Sequence, residues 1–442
     1  MKRAKHKIIP EITLHIHGLS HDGRGIGTVD GKTFFVSGAL PGEEVICKVW
    51  RSHRRFNEAK TLQVLQASPH RITPGCPHFG TCGGCTLQHL DPEQQLIIKQ
   101  QALLEQLKHF GKVIPEEILP PISGQLWGYR KKARLGVRYV IKKEKLLVGF
   151  REVQSNYLAD LAVCPVLHPS VGTKLTALSE LIASLTQFEH IPQVEVAISD
   201  NVSALIFRHL APLSEDDIYK LKQFGEFHHL HIYLQPNPPT EVHKIWPQQD
   251  SFNLSYRLPK FDITIQFPPQ AFTQVNSEIN HLMIDQALSL LALSPTDKVL
   301  DLFCGLGNFT LPMAKQANSV VGVEASVAMV KFAIYNAEQN NLFNTTFYTS
   351  NLMAPVTEEP WYAQNFNKIL LDPPRSGAKE ILSCFSQWQA DRVVYVSCNP
   401  STLARDSFTL VHELGYQLKK TGIINMFPQT SHVEAIALFV KR

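Results

Sequence analysis

A cysteine at position 398 closes the apolar run VVYVS and precedes Asn399-Pro400. A buried strand that ends in a thiol offers a nucleophile where open sheets bind their ligands, at the carboxyl ends of the strands. On spacing alone the other fate of a free cysteine, a small buried hydrophobe, stays open. A second constellation is DLFCGLGN (301–308), a buried strand running into a glycine turn and then the helical pattern NFTLPMAKQ. Gly305 and Gly307 let the backbone approach a ligand closely. Glu324 ends the next strand, 19 residues after Gly305, where a carboxylate can take both hydroxyls of a ribose. A dinucleotide site would want another glycine three places after Gly307; Thr310 stands there. That disfavours a nicotinamide-dependent oxidoreductase and favours a nucleoside without a pyrophosphate, such as S-adenosylmethionine.

Two carboxylates and a cysteine cluster complete the candidates. Asp372, in LDPPR (371–375), ends another strand and is either a pocket residue or the cap of a turn. Arg375 occupies the place where methyltransferases of exocyclic amines carry an aromatic and 5-methylcytosine enzymes a cysteine, so neither reaction is favoured. Glu434 follows MFPQTSHV and opens the strand pattern AIALFV, 36 residues after Cys398. Cys76, Cys82 and Cys85 crowd one Gly/Pro-rich loop, which suggests a metal or cluster. Their gaps of five and two residues include one wider than the two to four usual in a zinc pair, although thiolates could still bind zinc.

The elements that must hold these residues are legible as patterns. Residues 8–68 read as short strands with turns, a small β-barrel. A helix begins at Asp91-Pro92, with Asp91 as its cap, and Gly111 as its stop. Residues 120–265 look mixed α/β, and eight basic residues lie between Arg130 and Lys145 against the single acid Glu144. From about residue 268, the strands KVLDLF, SVVGVE, KILLDPP and RVVYVS alternate with helical patterns, as in a parallel doubly wound sheet. The expected domains are residues 1–70, 71–265 and 266–442.

The chain has 442 residues, 44% hydrophobic and 19% charged, which excludes disordered and fibrous classes. Its net charge of +4 is uneven: residues 1–75 carry +6 and the remainder −2, a distribution that suits an anionic partner. MKRAKHKIIPEITLHIHG has no apolar core of an export signal, and no run approaches a membrane span, so a cytoplasmic protein is expected. Eight cysteines are too sparse for a disulfide scaffold.

Taken together, DLFCGLGNFTLP, VGVE, LDPPR, VSCNP–TLARD and MFPQT–HVE resemble the RNA uracil-C5-methyltransferase family, in the family's order and over nearly the whole chain. HGLSHDGRGIGTVDGKTFFVSGALPGEEV resembles a TRAM domain, an RNA-binding barrel. The resemblance implies an α/β fold: a Rossmann-like class I S-adenosylmethionine-dependent methyltransferase domain, an N-terminal TRAM/OB-like barrel, and a mixed α/β central domain carrying an iron–sulfur cluster. Gln274, Phe303, Asn308, Glu324, Asn351 and Asp372 would line the S-adenosylmethionine and target-base pocket. Cys398 would be the nucleophile and Glu434 the general base. Cys76, Cys82, Cys85 and Cys164 would hold a [4Fe–4S] cluster that supports folding and RNA docking, since methyl transfer needs no electron. Family types without the barrel or without the cluster cysteines differ from this chain. Its domain content implies 23S ribosomal RNA as substrate, with a tRNA uridine as the alternative. A monomer without an obligate protein partner is expected.

That chemistry answers a specific difficulty. Uracil C5 is a poor nucleophile. Attack of a thiolate on C6 breaks the ring's conjugation and puts electron density on C5. The target must lie outside a base stack, in a loop or flipped out. Basic residues of the N-terminal arm and of 130–145 would hold phosphates.

Overall fold

The computed structural model describes residues 11–237, 242–248 and 253–442. The chain forms two compact units: Met1–Lys99 with Arg151–Tyr157 and Phe427–His432, and Gln100–Phe150 with Leu158–Met426 and Val433–Arg442. Lys2, Arg3, Lys5 and Lys7 of the basic arm lie outside the described residues. Among the described residues no helix is long and apolar enough to cross a membrane.

The first unit contains the expected barrel. Strands β1 (Glu11–Leu19), β2 (Gly25–Val29), β3 (Lys32–Ser37), β4 (Glu44–Ser52) and β5 (Phe56–Gln66) close in the order β1-β2-β3-β5-β4. Alternate side chains point inward, as the two-residue period of a strand requires: Leu14 and Ile16, Phe34 and Val36, Val45, Cys47 and Val49 form the core. Burial pushes the Cys47 thiol up to about 11, so it behaves as a core hydrophobe. Closure leaves no unpaired edge. Glu43 is buried beside the barrel. Burial alone would raise its carboxyl, but bonds from Arg71 (2.5 and 2.8 Å) and from the Leu40 and Ser68 N–H groups hold it below the usual carboxylate range.

The cysteine loop of this unit corrects the sequence reading. The expected [4Fe–4S] cluster on Cys76, Cys82, Cys85 and Cys164 does not fit the structure: among the described residues no group of three or more His, Cys, Asp or Glu side chains is arranged to hold a metal ion. The loop is organised by the backbone instead. Gly83 N–H donates to Arg151 O (2.8 Å), Thr86 and Leu87 N–H both donate to Gln429 O (3.0 Å), and the Cys82 sulfur accepts from Gly84 N–H (3.4 Å). Cys164 belongs to the other unit, where its N–H donates to Gly172 O (2.8 Å). Spacing along a chain brings cysteines into one loop; a cluster needs their sulfurs to converge, which spacing does not dictate.

The second unit opens with the end of the helix Pro92–Gln106, which continues as a π-helical turn, Leu107–Gly111. The left-handed residue that ends it is Lys112 (φ 53°), one past the expected Gly111. Strand β6 (Glu117–Ile118) follows, then β7 (Lys132–Val140), β8 (Lys145–Gly149), β9 (Gln193–Ile198), β10 (Ser203–Arg208), β11 (His231–Gln235) and β12 (His243–Trp246). The last six form a sheet in the order β12-β11-β10-β9-β7-β8. Part of the basic run on β7 and its turn is compensated here. Lys131 pairs with Asp200 (2.9 Å), Arg134 with Glu195 (3.1 Å) and Lys145 with Asp160 (2.7 Å), while Lys132 donates to Pro269 O (2.6 Å). Burial pulls the Lys132 ammonium down to about 8.

After the hairpin β13 (Leu254–Leu258) and β14 (Ile263–Phe267) come β15 (Lys298–Leu302), β16 (Ser319–Glu324), β17 (Thr345–Thr349), β18 (Lys368–Leu371), β19 (Arg392–Ser397), β20 (Tyr416–Ile424) and β21 (Glu434–Lys441). With β6 they form an eight-stranded sheet in the order β17-β16-β15-β18-β19-β21-β20-β6. The strands β15 to β19 are parallel, and β21 enters antiparallel beside β19. The order reverses between β15 and β18, the switch point at which such sheets bind ligands. Flanking helices start on side-chain caps: Asn276, Ser326 and Asn399 accept from the N–H groups of Ile279, Met329 and Ser401.

Candidate active site

The loop after β15 lies at one side of the switch point. Phe303 takes a left-handed conformation (φ 67°), which is uncommon for a bulky residue, and Gly305 and Gly307 follow at φ 55° and 91°. The strained turn is anchored by Phe303 and Cys304 N–H donating to Val323 O (2.9 and 3.1 Å). Glu324, at the end of β16, accepts from Gly305 N–H (3.3 Å) and Ser326 N–H (2.9 Å), which fixes its carboxylate above the glycine turn. Thr310, in place of a third glycine, donates to the buried Asp301 (2.5 Å). The other Asp301 oxygen has no hydrogen-bond partner. Burial pushes the Asp301 carboxyl up to about 7, with neighbouring Asp372 adding to the rise. A ribose or cationic ligand suits such a cradle: an open glycine backbone, a fixed acid, and a buried oxygen with bonding capacity left.

The other side of the switch point carries the thiol. Cys398 directly follows β19 and Glu434 begins β21. The register pairs Ser397 with Ala435, so continuing it by one residue sets Cys398 opposite Glu434. Asp372 directly follows β18, the neighbour of β19 on its other side. These groups feel one another. Burial raises the Cys398 thiol, the charges of Glu434 and Asp372 raise it further, and the Arg375 guanidinium opposes them. Burial also pushes Asp372 up to about 7.

A buried clamp ties the two loops together. Asp406 accepts from the Arg405 guanidinium (2.7 and 2.8 Å), the Tyr395 hydroxyl (2.7 Å) and Ala378 N–H (2.8 Å). Arg405 also donates to Ser376 O (2.9 Å), and Asn399 Nδ2 to Arg375 O (3.0 Å). Gly377 must be glycine: its φ is +82°, and a Cβ there would stand 2.5 Å from Arg405 Nη2. The helix after Cys398 and the loop after Asp372 are thereby held as one piece.

The expected site residues fall into three groups. Phe303, Glu324 and Asp372 stand at the sheet mouth around the glycine turn, with Cys398 and Glu434 at its other end. Asn308 is engaged in the fold: its side-chain oxygen accepts from Tyr256 (2.8 Å) and Asn280 (3.0 Å), and its amide donates back to Asn280 (2.9 Å). Asn351 is exposed in the loop after β17 and accepts from Met353 N–H (3.1 Å); Gln274 is half-buried before the helix Ser277–Leu291. The sequence reading passed over the Arg405–Asp406 clamp, which no spacing rule announces. It also passed over Phe272, 74% exposed two residues before Gln274.

Comparison with known proteins bears on the family and the fold. The TRAM domain family matches residues 10–62, the tRNA (Uracil-5-)-methyltransferase family residues 143–354, and a methyltransferase domain family residues 293–424. The chain is 48% identical over 430 residues to the 23S rRNA (uracil(1939)-C(5))-methyltransferase RlmD of Xanthomonas campestris pv. campestris (strain 8004), covering 97% of this chain and 96% of that one. It is 50% identical to the RlmD of Alcanivorax borkumensis, covering 96% of each. With that of Hahella chejuensis it shares 48% over the full length of both. The crystal structure of Pyrococcus abyssi tRNA (uracil-54, C5)-methyltransferase in complex with S-adenosyl-L-homocysteine has the same fold, with a TM-score of 0.74 at 23% identity, covering 97% of this chain and 99% of that one. Sharing about half its residues end to end with such enzymes, the chain belongs to the RNA uracil-C5-methyltransferase family, in its RlmD branch.

Proposed function

We propose that this protein transfers a methyl group from S-adenosylmethionine to C5 of a uridine in 23S ribosomal RNA, through a transient bond between Cys398 and C6. The observation that carries the mechanism is the β19–β21 register, which sets a carboxylate opposite a thiol at the sheet mouth, beside Asp372. The RlmD relatives, matched over their whole length, support the ribosomal substrate, and the barrel supports RNA binding. An enzyme of ribosomal RNA works in the cytoplasm.

When bound, S-adenosylmethionine supplies an electrophilic methyl group on a sulfonium. Glu324 would take the ribose hydroxyls, the turn at 303–307 would face the nucleoside, and Gln274, Asn308, Asn351 and Asp372 would complete the pocket for cofactor and base. Cys398, as thiolate, bonds to C6 and moves an electron pair to C5, which then accepts the methyl group. Glu434 removes the C5 proton, the electrons return to the ring, and the C6–S bond breaks. In the resting site, burial and two carboxylates keep the sulfur protonated, so the thiolate forms when a substrate is present to receive it. In this reading residues 1–70 grip RNA, 71–265 support the docked strand, and 266–442 carry out the transfer.

RNA carrying 5-fluorouracil at the target position tests the mechanism, because fluorine cannot leave as a proton does. A protein–RNA adduct should accumulate with the wild type and vanish in Cys398→Ala. Glu434→Gln should methylate but release product slowly. An adduct surviving in Cys398→Ala, or ordinary turnover in Glu434→Gln, would contradict the assigned roles. Mapping 5-methyluridine in ribosomal and transfer RNA with and without the gene tests the substrate.

A further inference from the structure

The helix Pro400–Phe408 begins two residues after Cys398, and along its side lies a cavity of about 400 Å³ lined by Phe110, Ser401, Arg405, Phe408 and Thr409. Ser401, its nearest wall, is one helical turn or less from the thiol along the chain. Nothing in the mechanism above uses this cavity.

Its construction is unusual in three respects. Phe110 is 64% exposed and Phe408 38%, so two aromatic side chains line one concavity in contact with solvent. Single exposed aromatics are ordinary; a pair on one concave wall is the feature that binds a planar ring. Phe110 lies on the π turn Leu107–Gly111, and Phe408 directly precedes a second, Thr409–Glu413; among the described residues these are the π-helical turns of the protein. Such turns concentrate at functional sites because they hold side chains off the regular helical spacing. The polar wall is also fixed. Arg405 is held by Asp406 and Ser376 O, and Ser401 Oγ donates to Gln106 Oε1 (3.1 Å). Lys108 and Lys112 flank Phe110, both exposed, with no acidic residue between Gln106 and Pro115.

We propose that this cavity is a subsite for a second unstacked nucleobase of the substrate RNA, from a nucleotide close in sequence to the uridine at Cys398. The proposal rests on the function given above. A strand distorted to present one base to Cys398 loses stacking at the neighbouring nucleotide, and that base needs a replacement surface. Phe110 and Phe408 supply aromatic faces, which accept any base. The held guanidinium of Arg405 offers a plane and donors to the base edge, and Lys108 and Lys112 attract the phosphates on either side. The size of the cavity and its place on the helix that follows the nucleophile in the chain favour a nucleobase over a protein partner.

The test uses the full-length protein and a 23S rRNA fragment containing the target uridine, in a series in which one flanking nucleotide at a time is abasic. Formation of the 5-fluorouracil adduct by the wild type on this fragment is read first; its failure would count against the function and not against the subsite. Phe110→Ala and Phe408→Ala should bind the intact fragment about 5- to 100-fold more weakly. S-adenosylmethionine binding and the single-turnover rate at saturating RNA should stay within about twofold of wild type, as expected for a stacking contact alone. One abasic position should weaken the wild type by the same factor and leave Phe110→Ala no weaker. Phe110→Tyr should restore binding where Phe110→Leu, which keeps the apolar volume, does not. Unchanged RNA affinity in Phe110→Ala overturns the proposal, whether or not its sedimentation shifts to reveal a surface for a second copy. So does an abasic penalty that persists in full in the variant.

Discussion

At the scale of single residues, protonation decides how this site behaves. The Cys398 thiol lies above its ordinary value, so the reactive thiolate becomes commoner as pH rises. Adduct formation with subsaturating RNA should therefore climb as the pH rises above neutral. Arg375 opposes the rise, so Arg375→Ala should slow adduct formation at neutral pH and move the profile to higher pH, while Arg375→Lys preserves it. An unshifted profile in Arg375→Ala would remove that residue from thiolate stabilisation. His89 gives the opposite kind of dependence. Its ring is buried against Phe79 (5.2 Å), and neither nitrogen has a hydrogen-bond partner. Burial first, then Arg71, pulls it down from 6.5 to about 4, with Glu43 opposing. The unfolded chain binds the proton more readily, so stability is complete above pH 6.5 and falls as the pH drops towards 4, by about 3 kcal/mol in total. Denaturant unfolding of His89→Phe should lack that slope.

At the scale of elements, the decisive feature is the fastening of two loops from neighbouring strands. Asp406 holds the helix after β19 to the loop after β18 through Arg405, Tyr395 and Ala378. Gly377→Ala would drive a methyl group into that network from a backbone conformation that disfavours it, costing about 1–3 kcal/mol by calorimetry. Asp406→Asn should cost about 1–3 kcal/mol, because an amide cannot accept from Arg405, the Tyr395 hydroxyl and Ala378 N–H together. Both variants should lose adduct-forming rate at saturating RNA, since Cys398 and Asp372 would no longer be placed together. Full rate with lowered stability would reduce the clamp to a purely structural role. The helix after Cys398 was visible from Asn399-Pro400; its tie to Ser376 and Ala378 was not, because a hydrogen bond between residues 28 or 29 apart leaves no periodic trace.

At the scale of the whole molecule, the charge is more selective than the composition suggests. Lys131, Arg134 and Lys145 are paired with acids, so the run at 130–145 offers fewer cations to phosphate than its count of eight. On the barrel, Arg54 and Arg55 are exposed in the turn between β4 and β5. If both contact phosphate, replacing them by alanine should reduce the slope of log affinity against log salt by about 1–2 and weaken every RNA sequence alike. Neutralising Arg134 and Lys145 should change that slope less. Equal effects from the two pairs would mean that the ion pairs of the second unit open on RNA binding.

Local chemistry in the sequence was enough to announce the barrel, the strand–glycine–helix turn at 301–308, the acid at 324 and a thiol at the end of a strand. Each depends on side-chain period, turn preference or capping within a few neighbours. Three matters were left to the tertiary structure. The β19–β21 register set Glu434 opposite Cys398 and drew β20 and the distant two-residue β6 into the same sheet. Acids on neighbouring elements paired with part of a basic run. Four cysteines with plausible spacing did not form a metal-holding group among the described residues. Convergence and charge compensation depend on which segments pack across from one another, and that choice is made by the burial of the whole sheet rather than by any window of the chain.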